Sequence, residues 1–135
     1  EYSYTAERYN ACPALRYFGG YYYMICLEEL PALRYAPYVY RTENFTDYQV
    51  GFHNPIMMYG DDDRVICKGC EKNFSGEDID LLENGLNINC SDVDLFEYKG
   101  KTYLFYANGD QMSYAFLCKA VYDGKMENLL KGFFE

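Results

Sequence analysis

Tryptophan is absent from this sequence, histidine occurs once, at His53, and only four residues are proline. One histidine makes no imidazole cluster, so a zinc site would have to be built mainly from sulfur. No stretch approaches the roughly 20 apolar residues that cross a bilayer as a helix, so no membrane span is expected. Positive charge is also scarce: 12 Lys and Arg stand against 21 Asp and Glu, a formal net charge of -9. Such a surface repels phosphate backbones, which removes nucleic acid from the expected partners. The chain opens at Glu1 with no basic segment followed by an apolar run, so no signal peptide is expected within it.

What the chain has in quantity is tyrosine, 17 residues, with nine phenylalanines, and half of its 135 residues are apolar. That length and composition suit one folded domain with a modest core, not a disordered tail. Tyrosine joins an apolar ring to a hydroxyl, so it serves strand packing first and sugar-lined clefts second. The six cysteines are at 12, 26, 67, 70, 90 and 118. Cys26 and Cys118 fall inside apolar, strand-like runs, where free cysteine behaves as a small core residue. Buried free thiols point to a reducing, cytoplasmic setting, with a secreted or periplasmic one left open. The spacing Cys67-Lys68-Gly69-Cys70 matches a zinc knuckle, but no second close pair accompanies it, so no metal or other cofactor is expected. Asp61-Asp62-Asp63 lacks the alternating oxygen ligands of a calcium loop and reads as a solvated turn. Asn-x-Ser/Thr acceptors occur at Asn44, Asn73 and Asn89 and matter only in a glycosylating secretory route.

The sequence also shows an internal similarity. Laid under residues 91–106, residues 11–26 place Gly20 on Gly100, Leu15 on Leu95, Phe18 on Tyr98 and Tyr23 on Tyr103, at an offset of 80. Each segment reads as strand, glycine turn, strand, with period-two alternation on either side. After each hairpin comes an apolar strand with a basic residue, Arg41 or Lys119, then a turn and an aromatic or leucine anchor. A hairpin followed by a third and a fourth strand, repeated at this spacing, has the form of a β-propeller blade. The predicted fold is therefore all-β, with two four-stranded antiparallel blades, one at about 8–68 and one at about 88–135, within a single partial domain over 1–135. Between them, Val65-Ile66-Cys67 reads as a short strand and 76–85 as a helical turn or loop. Two blades leave edge strands uncovered, so further blades or a second copy are expected as partners.

Asp92-Val93-Asp94-Leu95, Lys99-Gly100-Lys101-Thr102-Tyr103-Leu104-Phe105-Tyr106 and Tyr40-Arg41-Thr42-Glu43-Asn44-Phe45-Thr46-Asp47-Tyr48 resemble blade motifs. The family is that of the five-bladed β-propeller glycoside hydrolases, which includes arabinanase-, invertase- and mannoside-phosphorylase-like groups. The likeness covers most of the chain, and its closing segment is similar to the C-terminal part of such proteins. The resemblance implies a carbohydrate-active protein that hydrolyses or phosphorolyses glycosidic bonds of an oligo- or polysaccharide. It also implies carboxylates contributed to a central funnel from different blades, one of them kept protonated. Invertase-like members carry Glu-Cys-Pro at the acid position, whereas this chain has Ala11-Cys12-Pro13. That departure raises the alternative of a non-catalytic carbohydrate-binding or assembly module.

On this frame the expected catalytic carboxylates are Asp92 and Asp94, at the start of an inner strand, and Glu28, after the first hairpin. Asp94 follows Asp92 by two, so a regular strand sets both on one face. Both aspartates could equally bond nearby amides at the strand start, and Glu28 could be a surface residue. Asp110, Gln111, His53 and Tyr23 are the expected substrate-binding residues. Amide and carboxylate pairs bond sugar hydroxyls well, yet Asp110-Gln111 also suits a plain turn.

Overall fold

The computed structural model describes residues 10–135. Among these residues, seven strands form one antiparallel-dominated sheet: β1 (Asn10–Phe18), β2 (Tyr21–Leu30), β3 (Arg34–Thr42), β4 (Tyr48–Val50), β5 (Asn89–Tyr98), β6 (Lys101–Gly109) and β7 (Ala115–Tyr122). Their order is β1-β2-β3-β5-β6-β7, with β4 beside β3. A parallel pair, Tyr35 with Asn89, joins the two halves, reinforced by Tyr35 N donating to Asn89 Oδ1 at 3.1 Å. Among the described residues two α-helices accompany the sheet, α1 (Gly76–Asn84) and α2 (Met126–Gly132). Among the described residues no helix is long and apolar enough to cross a membrane.

Each half is an up-and-down meander built on a tight hairpin. Gly19 and Gly20 have φ of 58° and 89°, and Lys99 and Gly100 have 50° and 76°. Two successive residues at positive φ make the mirror-image turn whose twist matches paired strands. The 80-residue offset recurs in the strand irregularities as well. The β1–β2 register shifts between Ala11 and Ala14, the β5–β6 register between Ser91 and Asp94, and Cys12 and Asp92 adopt φ of 51° and 55°.

The core draws on both halves. Tyr23, Ile25 and Val39 share one cluster with Val93, Leu95, Leu104 and Tyr106, joined by Met126, Leu130 and Phe134. β1 and β2 lie against β5 without pairing with it. The first meander thus contributes Tyr23 and Ile25, while the second contributes the opposite face, Leu104 and Tyr106. Tyr23 packs edge-on against Phe134 at 5.8 Å, and among the described residues its buried hydroxyl has no hydrogen-bond partner. An unpaired buried hydroxyl costs about 1–3 kcal/mol. Tyr23→Phe is therefore expected to leave stability unchanged or raised in urea denaturation, and a loss above ~1 kcal/mol would show that the hydroxyl is bonded.

Two expectations about elements need correction. The chain is all-β in plan, but the second meander has three strands among the described residues, and helix α2 takes the place of the expected fourth. The reason is periodicity: Met126 and Leu130, four apart, are both buried, and Lys131 pairs with Glu127 at 2.7 Å one turn away. Glu97 Oε2 accepts from Met126 N at 2.9 Å and places a negative charge at the helix start. Val65-Ile66-Cys67 is not a strand. Arg64 instead donates to the carbonyls of Leu82, Glu83 and Gly85 at 2.7, 3.1 and 3.1 Å, satisfying the end of α1 and holding this segment away from any strand partner. The other end of α1 is closed by a capping box, in which Ser75 Oγ accepts from Asp78 N and Asp78 Oδ2 accepts from Ser75 N.

Candidate functional site

The heads of β1 and β5 enclose an open groove of about 400 Å³, lined by Cys12, Pro13, Ala14, Leu15, Arg16, Asp92, Val93 and Asp94. Contacts across it run in step: Cys12 faces Asp92, and further along the pleat Arg16 meets Asp94 and Leu95. The two strands therefore run in the same direction along the groove. A strand bulge bends its strand and re-aims a side chain, and here one bulge sits on each wall. Non-glycine residues at positive φ are costly, so Cys12 and Asp92 hold a geometry that the sheet alone does not require.

Asp92 is exposed in this groove, and Ser91 Oγ donates to its Oδ2 at 3.0 Å. Its carboxylate raises the pKa of the Cys12 thiol, first by hydrogen bonding and then, with partial burial, by charge. Asp94 is occupied otherwise. Its Oδ1 accepts from Arg16 Nη2 at 2.5 Å and from Leu95 N at 2.8 Å, while Arg16 also donates to Leu95 O at 2.7 Å. The exposed ion pair is worth about 0–1 kcal/mol and ties one wall of the groove to the other. Arg16 is a residue that sequence reasoning missed. The available signal is a cation where the 80-residue counterpart is Phe96.

The remaining candidates lie apart from this groove. Glu28 is fully buried in β2, its neighbours across the sheet being Asn10 and Ala36, so the surface position considered for it is not observed. Tyr23 is a core residue. Asp110 organises its own turn: Oδ1 accepts from Met112, Ser113 and Tyr114 main-chain N–H at 2.9, 2.8 and 3.1 Å, and Oδ2 from Ser113 Oγ. Those donors, Ser113 foremost, hold its carboxyl well below the usual range. Gln111 Oε1 accepts from Asn89 Nδ2 at 2.8 Å, and the same Asn89, buried, is thereby committed to the fold. His53 is exposed beside the last residue, its Nε2 lying 3.3 Å from Glu135 O. The structure thus brings together Asp92 and Asp94, and leaves Glu28, Asp110, Gln111, His53 and Tyr23 elsewhere.

A second, smaller cavity of about 240 Å³ lies between residues 62–74 and the β6–β7 surface, with Asp63, Cys67, Cys70, Phe74, Tyr106 and Cys118 among its walls. Asp63 is more than a solvated turn residue, for its Oδ1 accepts from Tyr106 Oη at 2.6 Å. Burial, then this bond, pushes the Tyr106 phenol up. Among the described residues no group of three or more His, Cys, Asp or Glu is placed to hold a metal ion.

The fold has a known counterpart. A solved structure named "Glycoside hydrolase" matches it with a TM-score of 0.51 at 11% sequence identity, over 89% of this chain and 34% of its own. Another, named as a BT0996 RGII complex, gives 0.49 at 12% identity over 88% of this chain and 34% of its own. The described sheet thus shares its fold with part of the first of these structures. The chain spans about a third of the length of each. No protein-family model matches the sequence, and neither does any curated protein.

Proposed function

We propose that this chain is part of a carbohydrate-active β-propeller, with the groove between β1 and β5 forming one wall of its sugar site. The observation that carries this reading is Asp92: an exposed carboxylate on a positive-φ bulge, facing the matching bulge at Cys12 across an open groove. The structural counterpart is named for the hydrolysis of glycosides, which supports the substrate class. In this reading the reaction is hydrolysis or phosphorolysis of a glycosidic bond. Asp92 is one of its two carboxylates, and the other comes from outside this groove.

The uncovered face of the second meander supports the larger assembly. Phe96 and Phe105 are 56% and 37% exposed, and they fall 80 residues after Arg16 and Ile25, which face the other half. A further meander packed on that face would repeat the contact already present between the two halves. An exposed apolar sheet face is otherwise an aggregation hazard.

A second reading, a binding module without turnover, is favoured by Ala11 at the position of the family's acid and by the pairing of Asp94 with Arg16. The full-length protein assayed on a panel of aryl glycosides, with and without inorganic phosphate, separates the two. Turnover of at least one glycoside is the expected result. Oligosaccharide binding without turnover would move the assignment to the binding module, and neither would remove carbohydrate from the account.

A further inference from the structure

We propose that Cys67 and Cys70 form a redox-active dithiol that closes to a disulfide across its own turn. The two are the first and fourth residues of a β-turn, with Cys70 N donating to Cys67 O at 2.9 Å and Gly69 at φ 88°. The first and fourth Cα atoms of such a turn lie within about 7 Å, and disulfides span roughly 4.4–6.8 Å between Cα atoms. Glu71 Oε2 accepts from Gly69 N at 2.7 Å and holds the turn in this shape. Cys67 is exposed and Cys70 half-buried, so an oxidant in solution reaches Cys67 first.

The other four thiols are poorly suited to compete. Cys118 lines the same cavity, yet burial, with the Asp63 and Cys67 charges adding to it, pushes its thiol up to about 12. Burial likewise pushes Cys26 and Cys90 up to about 12, and Asp92 raises Cys12. Exchange requires a thiolate, so groups held protonated attack slowly. Among the described residues no group of three or more His, Cys, Asp or Glu is placed to hold a metal ion, so the pair is read for its thiols.

With oxidised glutathione as the oxidant, the Cys67 thiolate attacks one glutathione sulfur, forming a mixed disulfide and expelling one glutathione thiolate. The Cys70 thiolate then attacks the Cys67 sulfur and expels the second glutathione. Both protein thiol protons end on the two glutathione thiols, so one dithiol is oxidised and one glutathione disulfide reduced.

The test equilibrates the protein in graded glutathione redox buffers, quenches with acid, and reads intact mass and a peptide map. The expected result is a species two hydrogens lighter, linked between Cys67 and Cys70 and reversed by dithiothreitol. Cys70→Ser should stop at one glutathione on Cys67, and Cys118→Ser should close the bond as the wild type does. A protein that stays fully reduced in the most oxidising buffer, or a bond from Cys67 to Cys118, would overturn the proposal.

Discussion

Asp92→Asn is expected to lower glycoside turnover by the full-length protein by about 10²- to 10⁴-fold, the usual worth of a positioned acid–base group. The substitution is nearly isosteric, and asparagine tolerates positive φ better than most residues, so the bulge at φ 55° should persist. The side chain is exposed and its one hydroxyl donor, Ser91, can serve an amide oxygen as well, so little folding energy is at stake. What disappears is the negative charge in the groove. Asp94→Asn makes the contrast, because its charge is already paired with Arg16 and an amide oxygen can still accept from Leu95 N, so a smaller fall in turnover is expected. Initial rates on the same glycoside check both variants, with unfolding curves alongside. Undiminished turnover by Asp92→Asn would take Asp92 out of the mechanism.

The largest stability effect should come from a position with no chemistry. Gly109 ends β6, between Asn89 of β5 and Ala115 of β7, at φ 132°. A Cβ there would land on the Tyr114 carbonyl oxygen, with Ala115 Cα at 3.0 Å and Tyr114 C at 3.1 Å. All three are backbone atoms, so no side chain can swing aside. Its own amide donates to Asn87 Oδ1 at 3.2 Å, and its carbonyl accepts from Ile88 N at 3.0 Å, which pins the residue from both sides. Strained backbone costs about 1–3 kcal/mol on its own, and the clash adds to it. Gly109→Ala is accordingly expected to cost roughly 3 kcal/mol or more in urea denaturation. Gly100→Ala tests the reasoning, since its Cβ meets nothing within 4 Å and only the φ of 76° opposes it, a cost near ~1 kcal/mol. Equal losses at the two sites would contradict the packing argument.

Much of the local fold was legible because its causes are local. Paired glycines or Lys-Gly between alternating apolar runs specify the two hairpins, and Tyr23 on Tyr103 marks matching strands from the sequence alone. Residues 126–132 are ambiguous in the sequence because Leu129-Leu130 suits either a strand or a helix. The decision rests on Met126 and Leu130 sharing one face and on Glu97 reaching the helix start from another strand. The candidate site divides in the same way. Asp92 stood out from its place at the head of a strand. The Arg16 bond to Asp94 and the role of Asp63 depend on pairings 78 and 43 residues distant in sequence, which no short motif records.

The central claim is that sugar is held in the groove between β1 and β5. The direct test is a titration of the isotopically labelled protein with an oligosaccharide that it turns over or binds, followed by amide chemical shifts. The account predicts saturable shifts concentrated at Cys12, Ala14, Arg16, Asp92 and Asp94, the groove-lining positions, and their loss of saturation in Asp92→Asn. Shifts centred on Tyr106, Cys118 and Phe74, around the other cavity, would contradict it and place the ligand there instead.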